Sequence, residues 1–384
     1  MSVTASRNPP GTRVVVERVL SDFVREQHNL VTDLDYRLPE SPRLNQDRQI
    51  SELSMESGRD REGGVERGRQ MATTAYEKDY EFLLVDRVGT EGRVARVTLN
   101  RPEKMNALSQ GLLFELNDAL HRLEAHYDTR VIILRGAGRT FSAGYDLTPV
   151  RDEGADAIIA GYKMVDEQNR RLVMGIRTGM QQVTDILMYF WNMAKVTIAQ
   201  IHGYALAGGC ELAMMADLVV AAEDAQLGHP GNRFGTSRTG VIWPLVMGMR
   251  ATKELYYTGS SVSGSRAEEV GMINHAWPAS ELENRTVEFA DYVANLTSDH
   301  LAALKQNMNR FYENMGIYSS VRSSTEYDAM SSFSGQAYAW QDKVAESMAS
   351  GEGLKAALEW RDGPYRDYRA GAERPTSPPS GADA

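Results

Sequence analysis

The sequence predicts an α/β fold built on a largely parallel sheet. Short β-branched apolar runs, Val131 to Leu134, Val196 to Ile201 and Leu218 to Ala222, read as buried strands. Longer segments of helical periodicity separate them. Strands that alternate with helices imply parallel neighbours joined by crossovers.

The first 70 residues stand apart. They hold Asn8-Pro9-Pro10-Gly11, a proline-bounded stretch from Pro39 to Pro42 and a charged polar run from Ser57 to Gln70. Such a composition buries too little surface to offset chain entropy, so residues 1–70 are expected to be a disordered extension. Val14 to Val24 could form one amphipathic helix. Met71 reads as a plausible natural start; a genuine tail with a partner is the alternative.

From Phe82 the pattern becomes regular. Phe82 to Val85 and Val94 to Leu99 flank Gly89-Thr90-Glu91-Gly92, a hairpin signal. Ser109 can cap a helix whose apolar face is Leu113, Leu116, Leu120 and Leu123. Residues 151–195 read as helical up to Met188-Tyr189-Phe190-Trp191-Asn192-Met193. Ala251 to Thr258 and Arg266 to Val270 read as short helices, and helical patterns dominate from Ser280. The expected organisation is a core over residues 79–285, a helical region over 286–366 and a flexible polar tail over 367–384.

Composition narrows the function. A formal net charge of −10 argues against general nucleic-acid binding. One cysteine, Cys210, leaves no intrachain disulfide framework and fits a reducing, cytoplasmic setting. No window of about 20 apolar residues suggests a membrane span, and no His/Cys/Asp cluster has metal-ligand spacing.

The chemistry-bearing stretch runs from Val196 to Val220. Its strand stops at His202-Gly203, and Gly208-Gly209 then opens a helix with Glu211 in the first turn. Glycines at a helix start permit close approach to backbone N–H groups that suit a developing negative charge. A carboxylate beside such a cradle can move a proton next to a carbonyl. The plainer reading is that Glu211 only complements the helix dipole. Phe141-Ser142-Ala143-Gly144-Tyr145-Asp146-Leu147 repeats the glycine-containing strand exit.

These two segments, preceded by Asn100-Arg101-Pro102-Glu103-Lys104-Met105-Asn106-Ala107-Leu108, resemble in order and spacing the motifs of the crotonase (enoyl-CoA hydratase/isomerase) superfamily over roughly residues 79–366. The resemblance implies a crotonase-like spiral of ββα units with a helical C-terminal trimerisation region. It implies a homotrimer or a hexamer made of two trimers, and coenzyme A entering as part of an acyl-CoA substrate rather than as a bound cofactor. It assigns the backbone N–H groups of Tyr145 and Gly208 to an oxyanion hole and Glu211 to acid/base catalysis. Ala143, Asp146 and Leu147 fall on the substrate side, with Asp146-Leu147 beside the adenine loop and Lys104 near the phosphates. Lys305 could reach those phosphates from a C-terminal helix, although such a lysine is commonly solvated. The Tyr145 side chain could narrow the pocket, donate a hydrogen bond or pack; packing is the expected role. Cys210 is expected to pack, despite a helix start that favours thiolate.

The sequence departs from the family at one position. Where hydratases carry a second glutamate, Gly228-His229-Pro230-Gly231-Asn232 places Gly231. His229 can supply an acid or base instead, or serve only as a polar loop residue. Arg238 could recognise a substrate carboxylate or carbonyl, or bridge subunits. The leading expectation is a hydratase-type lyase. A retro-Claisen carbon–carbon hydrolase, isomerase or decarboxylase on the same fold is the alternative, and a non-catalytic scaffold or RNA-binding relative is a third.

Overall fold

A computed structural model describes residues 78–147, 172–236 and 242–365. The expectations for residues 1–70, for the tail and for Arg238 lie outside these residues.

The first strands form the predicted hairpin. β1 (Leu83–Val88) pairs antiparallel with β2 (Val94–Leu99). Gly89 and Gly92 turn the chain at φ of 80° and 65°, a region that L side chains avoid. A 3₁₀ turn, η1 (Pro102–Lys104), leads to α1 (Gln110–Ala125). The Ser109 hydroxyl accepts from the Leu112 N–H, and α1 buries Leu112, Leu113, Leu116, Ala119, Leu120 and Leu123. Spacing of three and four puts these on one face, as the sequence requires.

β3 (Val131–Gly136), β4 (Val196–Ile201), β6 (Leu218–Ala222) and β9 (His275–Trp277) continue the sheet in parallel, in the order β1-β2-β3-β4-β6-β9. β4 is buried throughout, which explains its near-continuous apolar run. A second sheet holds β5 (Tyr204–Leu206), β7 (Gln226–Gly228) and β8 (Ser261–Ser263) in the order β5-β7-β8. Ser142 also bridges to Ala205 of β5. The chain therefore steps from a strand of the first sheet to one of the second, then into a helix, and repeats. β4, β5 and α3 (Gly208–Met214) form one such unit. This is a spiral of ββα units.

α2 (Val173–Asn192) packs on the C-terminal region. After η2 (Pro230–Phe234) come α4 (Trp243–Met247), α5 (Met249–Thr258) and α6 (Gly264–Glu269). From Leu282 to Asp362 the described chain is helical, as expected: α7 (Leu282–Val293), α8 (Ser298–Asn314), α9 (Ile317–Ser331), α10 (Gly335–Ala349) and α11 (Gly353–Asp362). α9 lies on α2, while α10 and α11 cover η2. No helix among the described residues is long and apolar enough to cross a membrane.

Candidate active site

Two glycine-bearing strand exits meet. A Cβ placed on Gly144 would lie 2.8 Å from the Leu206 carbonyl oxygen and 3.3 Å from the Gly208 nitrogen. Gly144 has φ of 102°, so both the crossing and the backbone demand glycine. Ser142 braces this crossing: its hydroxyl donates to the Asn106 carbonyl at 2.8 Å and accepts from the Gly144 N–H at 3.2 Å. Asn106 in turn accepts from the Arg101 N–H and donates to the Ala137 and Thr140 carbonyls. The motif from Asn100 to Leu108 thus works as a buried brace. Neither Asn106 nor Ser142 was singled out from sequence, although their place inside the motifs was the available signal.

Gly208 is the first residue of α3, so its N–H has no intrahelical acceptor and sits at the positive end of the helix. Ala207 before it holds φ of 47°, a strained conformation for a side-chain-bearing residue. Strain held by surrounding structure at a helix start is characteristic of built sites.

Glu211 lies one turn into α3 and is 5% exposed. The Tyr145 hydroxyl donates to Glu211 Oε2 at 2.8 Å, and His229 Nε2 lies 2.8 Å from Glu211 Oε1. This corrects the expectation that the Tyr145 side chain merely packs. A buried carboxylate requires partners, and the phenol supplies one. The ring also lies flat on Gly208, where an added Cβ would come within 2.5 Å of it. His229 stacks on Tyr256 at 5.2 Å and meets the edge of Trp243 at 6.4 Å. These aromatic neighbours, from α5 and α4, fix the imidazole plane.

Tyr145, Gly208, Glu211 and His229 therefore come together. Ala143 joins through its backbone, donating to the Met105 carbonyl at 3.0 Å. Asp146 pairs with Arg101 at 3.0 Å, Lys104 is exposed on η1, and Leu147 is half-buried.

Lys305 does not fit the phosphate role. Its side chain is 3% exposed, with Nζ 2.8 Å from Asp217 and 3.0 Å from the Lys195 carbonyl. Desolvation lowers its affinity for a proton, and Asp217 opposes this. The lysine pins α8 to β4 and lines a cavity of about 480 Å³ with Trp191, Met214 and Asp217. None of Tyr145, Glu211 and His229 lines that cavity. Cys210 is fully buried, and desolvation pushes its thiol far up, against the lowering expected of a helix start. His202 bonds the Gly138 carbonyl at 2.8 Å. No metal-competent group of side chains occurs among the described residues.

These features define a class: a spiral α/β protein with a glycine-lined backbone crossing beside a buried glutamate–histidine pair. A family model for enoyl-CoA hydratase/isomerase matches residues 89–337. EchA13 of Mycobacterium tuberculosis, named as a candidate enoyl-CoA hydratase, is 33% identical over 267 residues, which is 67% of this chain and 82% of that protein. The crystal structure of an enoyl-CoA hydratase/isomerase from Xanthobacter autotrophicus Py2 superposes with a TM-score of 0.64 at 32% identity, covering 75% of this chain and 100% of the other. An enoyl-CoA hydratase from Mycobacterium smegmatis gives a TM-score of 0.65 at 27% identity, covering 74% and 94%. The chain belongs to the enoyl-CoA hydratase/isomerase family of the crotonase superfamily, and its fold is the crotonase fold. It is an enzyme of that family, not the scaffold considered above.

Proposed function

We propose that this enzyme adds water across the α,β double bond of an enoyl-CoA thioester, by way of a thioester enolate. The carrying observation is Glu211, buried between Tyr145 and His229 directly beside the Gly144–Gly208 crossing. In this reading the N–H groups of Tyr145 and Gly208 receive the thioester oxygen as negative charge builds on it. Loss of one such donor typically costs about 3–4 kcal/mol of transition-state stabilisation. Glu211 and His229 move the proton. Ala143, Asp146, Leu147 and Lys104 line the approach of the coenzyme A portion, which arrives and leaves with the substrate.

The test is hydration of crotonyl-CoA, followed by loss of the conjugated double bond. Glu211→Gln should lower kcat by about 10²-fold or more. A variant with the wild-type rate refutes the assignment.

Gly231 favours a second reading, hydrolytic carbon–carbon cleavage of a β-dicarbonyl compound. Ordinary hydration divides water between two carboxylates, and this chain offers a carboxylate and an imidazole. Turnover of crotonyl-CoA at hydratase-like rates removes the second reading. Turnover of a β-diketone with none of crotonyl-CoA establishes it.

A further inference from the structure

His229 depends on its neighbours for its place. It stands at the N-terminal end of η2, a five-residue 3₁₀ turn whose own bonds are long. The Asn232 N–H reaches the His229 carbonyl at 3.4 Å, and the Gly235 N–H reaches the Asn232 carbonyl at 3.4 Å. A turn this short and this weakly bonded does not fix its own position. Glu211 arrives separately, from α3. The 2.8 Å contact between His229 Nε2 and Glu211 Oε1 therefore depends on where η2 is seated.

The seat has two sides. On one, Asn232 Nδ2 donates to the Tyr256 carbonyl of α5 at 2.8 Å, and the Tyr256 ring stacks on His229. On the other, Gln336 of α10 donates to the Arg233 carbonyl at 2.7 Å, and Trp340 stacks on Phe234 at 5.2 Å. A Cβ on Gly235, which has φ of 91°, would lie 2.8 Å from the Ala337 nitrogen, so α10 comes this close only to glycine.

One side chain joins both sides. Arg233 Nε donates to the Thr258 carbonyl at the end of α5 at 3.2 Å, and Nη1 donates to Asp362 of α11 at 3.1 Å. The guanidinium also lies 4.4 Å from the centre of the Tyr365 ring. A planar fork with donors in fixed directions suits such a strut better than a flexible ammonium.

We infer that Arg233 is a positioning residue of the active site: by tying η2 to α5 and α11 it holds His229 against Glu211. The inference rests on the reading in which Glu211 and His229 move the proton. It makes α10 and α11 a support of that pair as well as a surface for assembly.

A double-mutant cycle on the full-length protein tests this, with crotonyl-CoA, or with a β-diketone where that is what the wild type turns over. Arg233→Met keeps the stem and removes the fork. Its kcat should fall about tenfold or more with KM unchanged, since misplacing a reacting group by about 1 Å can cost about 10²-fold. In a His229→Ala background the same substitution should cost nothing further, because the group it positions is gone. An equal loss in both backgrounds overturns the inference, and so does a wild-type kcat in Arg233→Met. Should Arg233→Met fail to fold, Asp362→Asn and Gln336→Ala cut the same ties singly. Each should lower kcat severalfold when His229 is present and not when it is absent; no loss in either overturns the inference. The geometry is also read without any substrate. In crystal structures, His229 Nε2 should stay on Glu211 in the wild type and draw away in Arg233→Met, and an unchanged contact overturns the inference. The underlying reading fails separately, through a full kcat in His229→Ala or no turnover of either substrate by the wild type.

Discussion

The Tyr145 hydroxyl donates to Glu211 Oε2 at 2.8 Å while the ring of the same residue covers Gly208. One side chain thus joins the Gly208 helix start to the buried Glu211 carboxylate, with the hydrogen bond spanning 66 residues of sequence. A phenol in this role also keeps the carboxylate partnered in a site that excludes solvent.

Removing only the hydroxyl isolates that contribution. Tyr145→Phe leaves the ring on Gly208 and strips one donor from a buried carboxylate. A hydrogen bond to a charged group is worth about 1.5–3 kcal/mol, so kcat on a verified substrate should fall about 10- to 100-fold. Coenzyme A affinity should stay unchanged. Steady-state kinetics with calorimetric binding of coenzyme A checks both, and an unchanged kcat would show that the ring alone matters.

Much of the fold was legible because its central strands are buried on both sides. Val196 to Ile201 could only be a central strand, and α1 follows from its leucine spacing. The three-residue strands β5, β7, β8 and β9 were not read, being too short to show alternation. The placement of Gly208 at a helix start with Glu211 in its first turn was legible from the glycine pair and the strand before it. The partnership of Tyr145 and His229 with Glu211 was not, since it arises where separate strand exits converge. Lys305 shows the converse. A lysine amid helical periodicity carries no sign of burial, and its partner Asp217 lies 88 residues away.

Lys305→Met tests the corrected role. Asp217 would keep its bonds from the Thr197 N–H and hydroxyl but lose the ammonium. Removing one partner of a buried ion pair costs about 3–5 kcal/mol. Thermal or denaturant unfolding should show a loss of that order, with KM for acyl-CoA unchanged. A raised KM with unchanged stability would reinstate the phosphate role.

Asp362 links α11 to η2. It accepts from Arg361 at 2.9 and 2.8 Å and from Arg233 at 3.1 Å. Burial alone would raise its pKa, but the hydrogen bonds and charges of Arg361 and Arg233 outweigh it and hold the carboxyl below its ordinary 3.8. Because the folded value is depressed, the stabilisation is fully present above the unfolded value, near pH 4, and is lost as pH falls through the folded one. Wild type and Asp362→Asn should therefore differ in unfolding free energy at neutral pH and converge in acid. A difference that persists unchanged down to the most acidic pH at which both proteins still fold would place its cause elsewhere. Partial exposure keeps the effect modest, under about 1 kcal/mol.

Assembly follows from the helical region. Leu301 and Trp340 are buried within the chain, so part of this region's apolar surface packs on its own domain. The rest does not. On α8 and just beyond it Leu304, Met308, Phe311 and Met315 are exposed, with Phe311 at 63%, and Tyr327 and Met330 on α9 are exposed as well. Scattered apolar residues need no cover, but several on two neighbouring helices favour a partner surface. A closed ring of identical chains covers such a face on every copy. We propose a homotrimer or a hexamer made of two trimers, with this face at the interface. Sedimentation equilibrium of the full-length protein at micromolar concentration should give three or six chain masses. Phe311→Glu should drive the species toward one chain mass, and a wild type already at one chain mass would overturn the assignment.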